Sequence, residues 1–181
     1  MKSMTEMSKL IALVLRHNPG ALNLTLDEHG WCDVSALIER LSAIQPFTME
    51  TLEKIVSEDS KQRYSFNQDK TCIRANQGHS IPVDLELLPA MPPKTLYHGT
   101  ATRFSQSIEE KGLLPMQRQH VHLSASPETA VTVGKRHGTP VVYEIDAEAM
   151  CKSGHVFYCS ENGVWLVQAV PAEYLKRTEL H

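Results

Sequence analysis

Apolar residues recur with two different periods along the 181-residue chain. Met7, Leu10, Ile11, Val14 and Leu15 are spaced by threes and fours, which lines one face of a helix. Ser8 is its expected cap. The helix should stop near Arg16-His17-Asn18, because Pro19 disfavours helical backbone at the residue before it. Asp27-Glu28-His29-Gly30 reads as a turn. Asp33 ahead of Val34, Leu37, Ile38 and Leu41 predicts a second amphipathic helix with its N-cap. Thr48 ahead of Leu52, Ile55 and Val56 predicts a third. The period then shortens. Arg63-Tyr64-Ser65-Phe66 and Thr71-Cys72-Ile73-Arg74-Ala75 flank a polar Asn67-Gln68-Asp69-Lys70 turn, which predicts a β-hairpin.

Pro89-Ala90-Met91-Pro92-Pro93 is the clearest linker and divides the chain into near-equal halves. The expected organisation is a first lobe over 1–90, a Pro-rich linker at 91–94 and a second lobe over 95–181. In the second half, residues 95–98, 120–124, 141–145, 156–158 and 164–167 read as short strands. Residues 105–111 read as a short helix with Gly112 past its end. Ser126-Pro127-Glu128 opens another, with Ser as N-cap and Pro in the first turn. The expected fold class is α+β and bilobed. The first lobe, three short helices followed by a hairpin, is similar to a winged helix in element order, and the second is compact and β-rich.

Composition narrows the function classes. The formal net charge is −3, with nine basic and twelve acidic side chains up to Pro93 and nine of each after it. Neither half is a basic arm, so a broad phosphate-coating surface is excluded. A small cluster of arginines around one phosphate is not. The four cysteines, Cys32, Cys72, Cys151 and Cys159, form no CxxC pair, which argues against structural zinc. The polar N-terminus lacks an apolar signal core, and no apolar run approaches the ~20 residues that span a bilayer. A cytoplasmic protein with reduced thiols, no membrane association and, by default, a monomeric state is expected.

Several segments carry candidate chemistry. Arg16-His17 closes a helix, where cations offset the helix dipole by ~0.3–1 kcal/mol. Arg63 and Arg74 flank the hairpin and, taken alone, read as solvated strand residues. Tyr97-His98-Gly99-Thr100 ends a strand with hydrogen-bonding groups around a glycine, which lets backbone approach a ligand closely. Arg118, His120, His122 and Ser124 would share one strand face. That face is either solvated or lines a pocket. His120 and His122 could ligate a metal, but no carboxylate or cysteine partner accompanies them, and no metal is expected. P-loop, GxGxxG, HExxH and GxSxG motifs are absent.

Taken in order, the segments resemble the KptA-type RNA 2′-phosphotransferase family. The matching residues are Leu15-Arg16-His17-Asn18-Pro19, Leu24-Thr25-Leu26-Asp27 with Gly30-Trp31, and Arg63-Tyr64. Ile73-Arg74-Ala75-Asn76-Gln77-Gly78-His79-Ser80 follows. The series continues with Tyr97-His98-Gly99-Thr100, Arg118 with His120-Val121-His122-Leu123-Ser124, and Gly163-Val164-Trp165-Leu166. The resemblance implies a winged-helix-like first lobe and a second lobe of ADP-ribosyltransferase fold that binds NAD. It implies removal of an internal RNA 2′-phosphate by transfer to NAD through an ADP-ribosylated RNA phosphate, without a metal. On that resemblance Arg16, His17, Arg63 and Arg118 are catalytic. His98, Gly99, Thr100, His122 and Ser124 contact NAD. Many ADP-ribosyltransferases carry a glutamate on a late strand, whereas Gly163-Val164-Trp165-Leu166 carries none. A phosphate nucleophile that already bears its charge has less need of one. The alternative in the same fold is a mono-ADP-ribosyltransferase acting on a terminal nucleic-acid phosphate or on protein.

Overall fold

A computed structural model describes residues 1–178. The chain divides into two compact units, Met1–Glu86 and Leu87–His181.

The first unit opens with helix α1 (Met4–Arg16), which buries Met7, Ile11, Val14 and Leu15. Its cap is Ser3 rather than Ser8. Ser3 accepts from the Glu6 backbone N–H while the Glu6 carboxylate accepts from the Ser3 N–H, a capping box worth ~1 kcal/mol. The apolar stripe begins only at Met7, so the polar first turn precedes the periodic signal. Strand β1 (Cys32–Asp33) leads into α2 (Val34–Ser42), capped by Asp33, and α3 (Met49–Glu58) is capped by Thr48 as expected. The hairpin is β2 (Tyr64–Phe66) and β3 (Cys72–Ala75). Both β1 and β2 pair antiparallel with β3, giving the order β1-β3-β2. The helices close over this sheet through Leu37, Leu41, Leu52, Ile55 and Ile73, all buried.

The second unit holds two three-stranded antiparallel sheets. One has the order β4 (Thr95–Ala101), β6 (Pro140–Asp146), β9 (Leu175–Thr178). The other has the order β5 (Val121–Leu123), β8 (Trp165–Val167), β7 (Phe157–Cys159). A bridge between Tyr97 and Ser124 joins β4 to the end of β5. Helix α4 (Ser105–Lys111) ends at Gly112, whose φ of +79° suits glycine. Helix α5 (Pro127–Gly134) starts at the Ser126 cap, as expected. Helix α6 (Ala147–Lys152) and β9 escaped the sequence reading, α6 being only six residues long and β9 having no buried alternation. Leu96, Leu123, Tyr143, Ile145 and Phe157 lie at the centre of the core.

The proline-rich stretch expected as a linker is fastened to the second unit. Ala90 donates to the Phe157 carbonyl at 2.8 Å, Pro89 pairs with Tyr158, and Pro92 is buried. No helix among the described residues is long and apolar enough to cross a membrane.

Candidate functional site

In the first unit, Arg16 and His17 lie at the end of α1, and Arg63 lies just ahead of β2. Arg16 is the last residue of α1 and His17 its C-cap, so the helix places them side by side. Arg63 precedes β2, opposite the exit of β3: Tyr64 registers with Ala75, and the Asn76 N–H donates to the Arg63 carbonyl at 2.8 Å. The segment leaving β3 then runs to the end of α1. Ser80 donates its backbone N–H to the Arg16 carbonyl at 3.0 Å, satisfying a helix-end acceptor. Ser80 Oγ lies 2.9 Å from His17 Nδ1. Gly78, at φ +89°, passes so close that a Cβ there would meet Arg16 Cζ at 3.4 Å. Both guanidinium groups favour ionisation of the Tyr64 hydroxyl, although burial dominates and raises its pKa.

Arg63 is not a solvated strand residue. Its Nη1 pairs with the Asp59 carboxylate, and its backbone N–H donates to Asp59 Oδ2 at 2.6 Å. The Asp59 side chain is 5% exposed and that of Arg63 29%. Asp59 ends α3 and accepts from the Lys61 N–H as well, so one carboxylate shapes the turn and aims the arginine. A cavity of about 290 Å³ opens beside this pair, lined by Thr5, Ser8 and Lys9 of α1 together with Asp59, Arg63 and Tyr64.

Arg74, also read as solvated, is 8% exposed. Its guanidinium lies 4.4 Å from the Trp31 ring centroid and within 3.8 Å of Glu86. His79 is 2% exposed, and neither ring nitrogen meets a hydrogen-bond partner among the described residues. Burial lowers its pKa to about 4, with Arg16, His17 and Arg74 adding to the effect, so the ring is neutral.

In the second unit, His98, Arg118, His122 and Ser124 are linked. The His98 Nδ1 lies 3.0 Å from the His122 carbonyl. A carbonyl only accepts, so Nδ1 carries the hydrogen. Burial lowers the His98 pKa, which leaves Nε2 a bare acceptor for a hydroxyl or amide hydrogen. Arg118 lies in the loop before β5, not on the strand as the alternation suggested, and its backbone closes a turn on Pro115. From there its Nη1 donates to His122 Nδ1 at 2.5 Å. Arginine cannot accept, so His122 bears its own ring hydrogen on Nε2. Ser124 exchanges two backbone hydrogen bonds with Tyr97. His120 stands apart, edge-on to Tyr158 at 5.7 Å, and burial lowers its pKa.

Gly99 and Thr100 are both buried. A Cβ at Gly99 would fall 1.6 Å from the Ala130 carbonyl oxygen of α5. Gly134 likewise approaches the Thr100 carbonyl, at 2.8 Å from its ideal Cβ position. Glycine at 99 is therefore demanded by the helix lying on β4. Strand β8 carries no carboxylate, and Glu161 is exposed in the turn before it. Among the described residues no group of three or more His, Cys, Asp or Glu is placed to hold a metal ion.

Asp59, Ser80 and His79 went unassigned in the sequence reading. The one available signal was the motif running from Asn76 to Ser80, whose contact with Arg16-His17 spans more than 60 positions of sequence.

The family model described as RNA 2′-phosphotransferase, Tpt1 / KptA family matches residues 2–169. The chain is 51% identical over 179 residues to a "Probable RNA 2′-phosphotransferase" of Acaryochloris marina, covering 98% of this chain and 99% of that one. A protein of the same description from Fusobacterium nucleatum is 51% identical over 173 residues, covering 94% and 97%. One from Hahella chejuensis is 50% identical over 176 residues, covering 96% and 94%.

Proposed function

Because the chain belongs to the RNA 2′-phosphotransferase, Tpt1 / KptA family, we propose that it removes an internal 2′-phosphate from RNA by transferring it to NAD. An oxygen of the RNA 2′-phosphate attacks C1″ of the nicotinamide ribose, and the glycosidic bond to nicotinamide breaks. The ribose O2″ of this ADP-ribosylated phosphate then attacks phosphorus, and the bond to the RNA 2′-oxygen breaks. The products are RNA with a free 2′-hydroxyl, nicotinamide and ADP-ribose 1″,2″-cyclic phosphate.

Arg16, His17, Arg63 and Arg118 act on the phosphate. A phosphate monoester carries nearly two charges, and guanidinium forks pair with its oxygens bidentately while staying charged. Each charge-assisted hydrogen bond contributes ~1.5–3 kcal/mol, so a few suffice without a basic surface. The same groups stabilise charge on the equatorial oxygens as the second step proceeds. His17 takes the proton from O2″ and returns it to the departing RNA oxygen, help worth ~10²–10⁴-fold. His98, Gly99, Thr100, His122 and Ser124 take NAD. The bare Nε2 of His98 accepts from a ribose hydroxyl or the nicotinamide amide, and His122 offers its Nε2–H. The first unit is winged-helix-like, a reading supported by the order α1-β1-α2-α3-β2-β3, and the second has the ADP-ribosyltransferase fold, supported by its two antiparallel sheets.

The observation that carries this reading is the family match over residues 2–169, joined by His17 held against Ser80 and Arg63 held against Asp59. Incubation with NAD and an RNA bearing an internal 2′-phosphate should release the phosphate only when NAD is present. No NAD-dependent loss would refute the reading. A stable ADP-ribosylated product from the unmodified chain would point to the mono-ADP-ribosyltransferase instead.

A further inference from the structure

We infer that Ser80 is a positioning residue for the second step, holding the His17 imidazole so that it can accept a proton and give it up again. The inference rests on the phosphotransferase reading and extends it to a residue outside the proposed site.

Three observations meet at Ser80. Its hydroxyl oxygen lies 2.9 Å from His17 Nδ1. Its backbone N–H donates to the Arg16 carbonyl at 3.0 Å, so the hydroxyl is tied to the helix end that bears His17. Gly78 closes over the Arg16 guanidinium, and buried His79 anchors the segment between them. Both His17 and Ser80 are exposed, so this contact buries little apolar surface and contributes little to folding.

The chemistry of the acceptor matters. His17 can take the O2″ proton only through a bare ring nitrogen. With Nδ1–H donating to Ser80 Oγ, that nitrogen is Nε2. In the second step a bond forms from O2″ to phosphorus and the bond from phosphorus to the RNA 2′-oxygen breaks. The proton leaving O2″ passes to Nε2 and then to the RNA oxygen, so none is gained or lost. A carboxylate at Ser80 would orient the ring equally well but would stabilise the imidazolium and retain the proton. A neutral hydroxyl orients it without that penalty.

The test is single-turnover kinetics that resolve the two steps, on the unmodified chain, Ser80→Ala and Ser80→Thr, with thermal stability measured in parallel. Ser80→Ala should slow the second step about tenfold or more, so that ADP-ribosylated RNA accumulates, while the first step and the KM for NAD stay within about twofold. Ser80→Thr keeps the hydroxyl and should recover most of the second-step rate. Equal slowing of both steps, or a threonine variant as slow as alanine at unchanged stability, would overturn the inference. An unmodified chain inactive on the 2′-phosphorylated RNA would instead refute the underlying function.

Discussion

The two units hold their candidate residues in different ways. In the first, Arg16, His17 and Arg63 lie at element ends and are steadied by polar partners: Asp59 for Arg63, Ser80 for His17. In the second, His98, Gly99 and Thr100 lie within a seven-residue strand registered along its whole length with β6, and Gly99 lies under α5. The first arrangement is electrostatic and leaves the core untouched. The second is built into the packing itself. Substitutions in the first unit should therefore damage chemistry and spare the fold, whereas the glycine of the second cannot change without moving a helix.

The sharpest break would come from Gly99→Ala. A methyl 1.6 Å from a backbone oxygen cannot be absorbed by a side-chain rotation, so α5 must lift from β4. A destabilisation of about 3 kcal/mol or more is expected, read as a large fall in thermal midpoint. A variant that melts like the unmodified chain and loses only NAD binding would show that Gly99 serves the ligand and not the packing.

Arg63→Lys probes the opposite case. It keeps a cation beside buried Asp59 but loses the fork proposed to pair with two phosphate oxygens. Stability should fall by less than about 1 kcal/mol. The second step should slow by about 10–100-fold, with ADP-ribosylated RNA building up. Full activity would remove Arg63 from the phosphate, and a collapse in stability would make Asp59–Arg63 a structural pair.

At neutral pH the smallest effect concerns His79, whose contribution emerges only on acidification. Its folded pKa of about 4 lies below the usual 6.5, so the unfolded chain binds the extra proton between those values. Stability is complete above about pH 6.5 and declines as pH falls toward 4, by up to about 1.4 kcal/mol per pH unit from this one group. Chemical denaturation across that window should show a shallower decline for His79→Gln. An unchanged slope would contradict the buried neutral ring.

Much of the architecture was legible because local signals agreed with it. The Asp33, Thr48 and Ser126 caps and the 67–70 turn stand where the structure has them. The errors have physical causes. Ser8 looked like a cap because the apolar stripe starts beside it, yet Ser8 lies inside α1 and meets the Tyr64 hydroxyl at 3.2 Å. Arg74 looked solvated because charge usually is, but Trp31 and Glu86 receive it. Arg118 was placed on a strand by alternation, and a turn on Pro115 takes it off. Asp59 and Ser80 were out of reach for another reason. Asp59 belongs to no period or short motif, and Ser80 closes a motif whose partner, His17, is brought near only by folding.

The proposed reaction moves the phosphate itself from RNA to the ADP-ribose of NAD. The direct measurement follows a labelled internal 2′-phosphate during one turnover of the unmodified chain. The label should pass through ADP-ribosylated RNA and finish in ADP-ribose 1″,2″-cyclic phosphate, leaving RNA with a 2′-hydroxyl. Label released as inorganic phosphate, or retained on the RNA in the presence of NAD, would contradict the account.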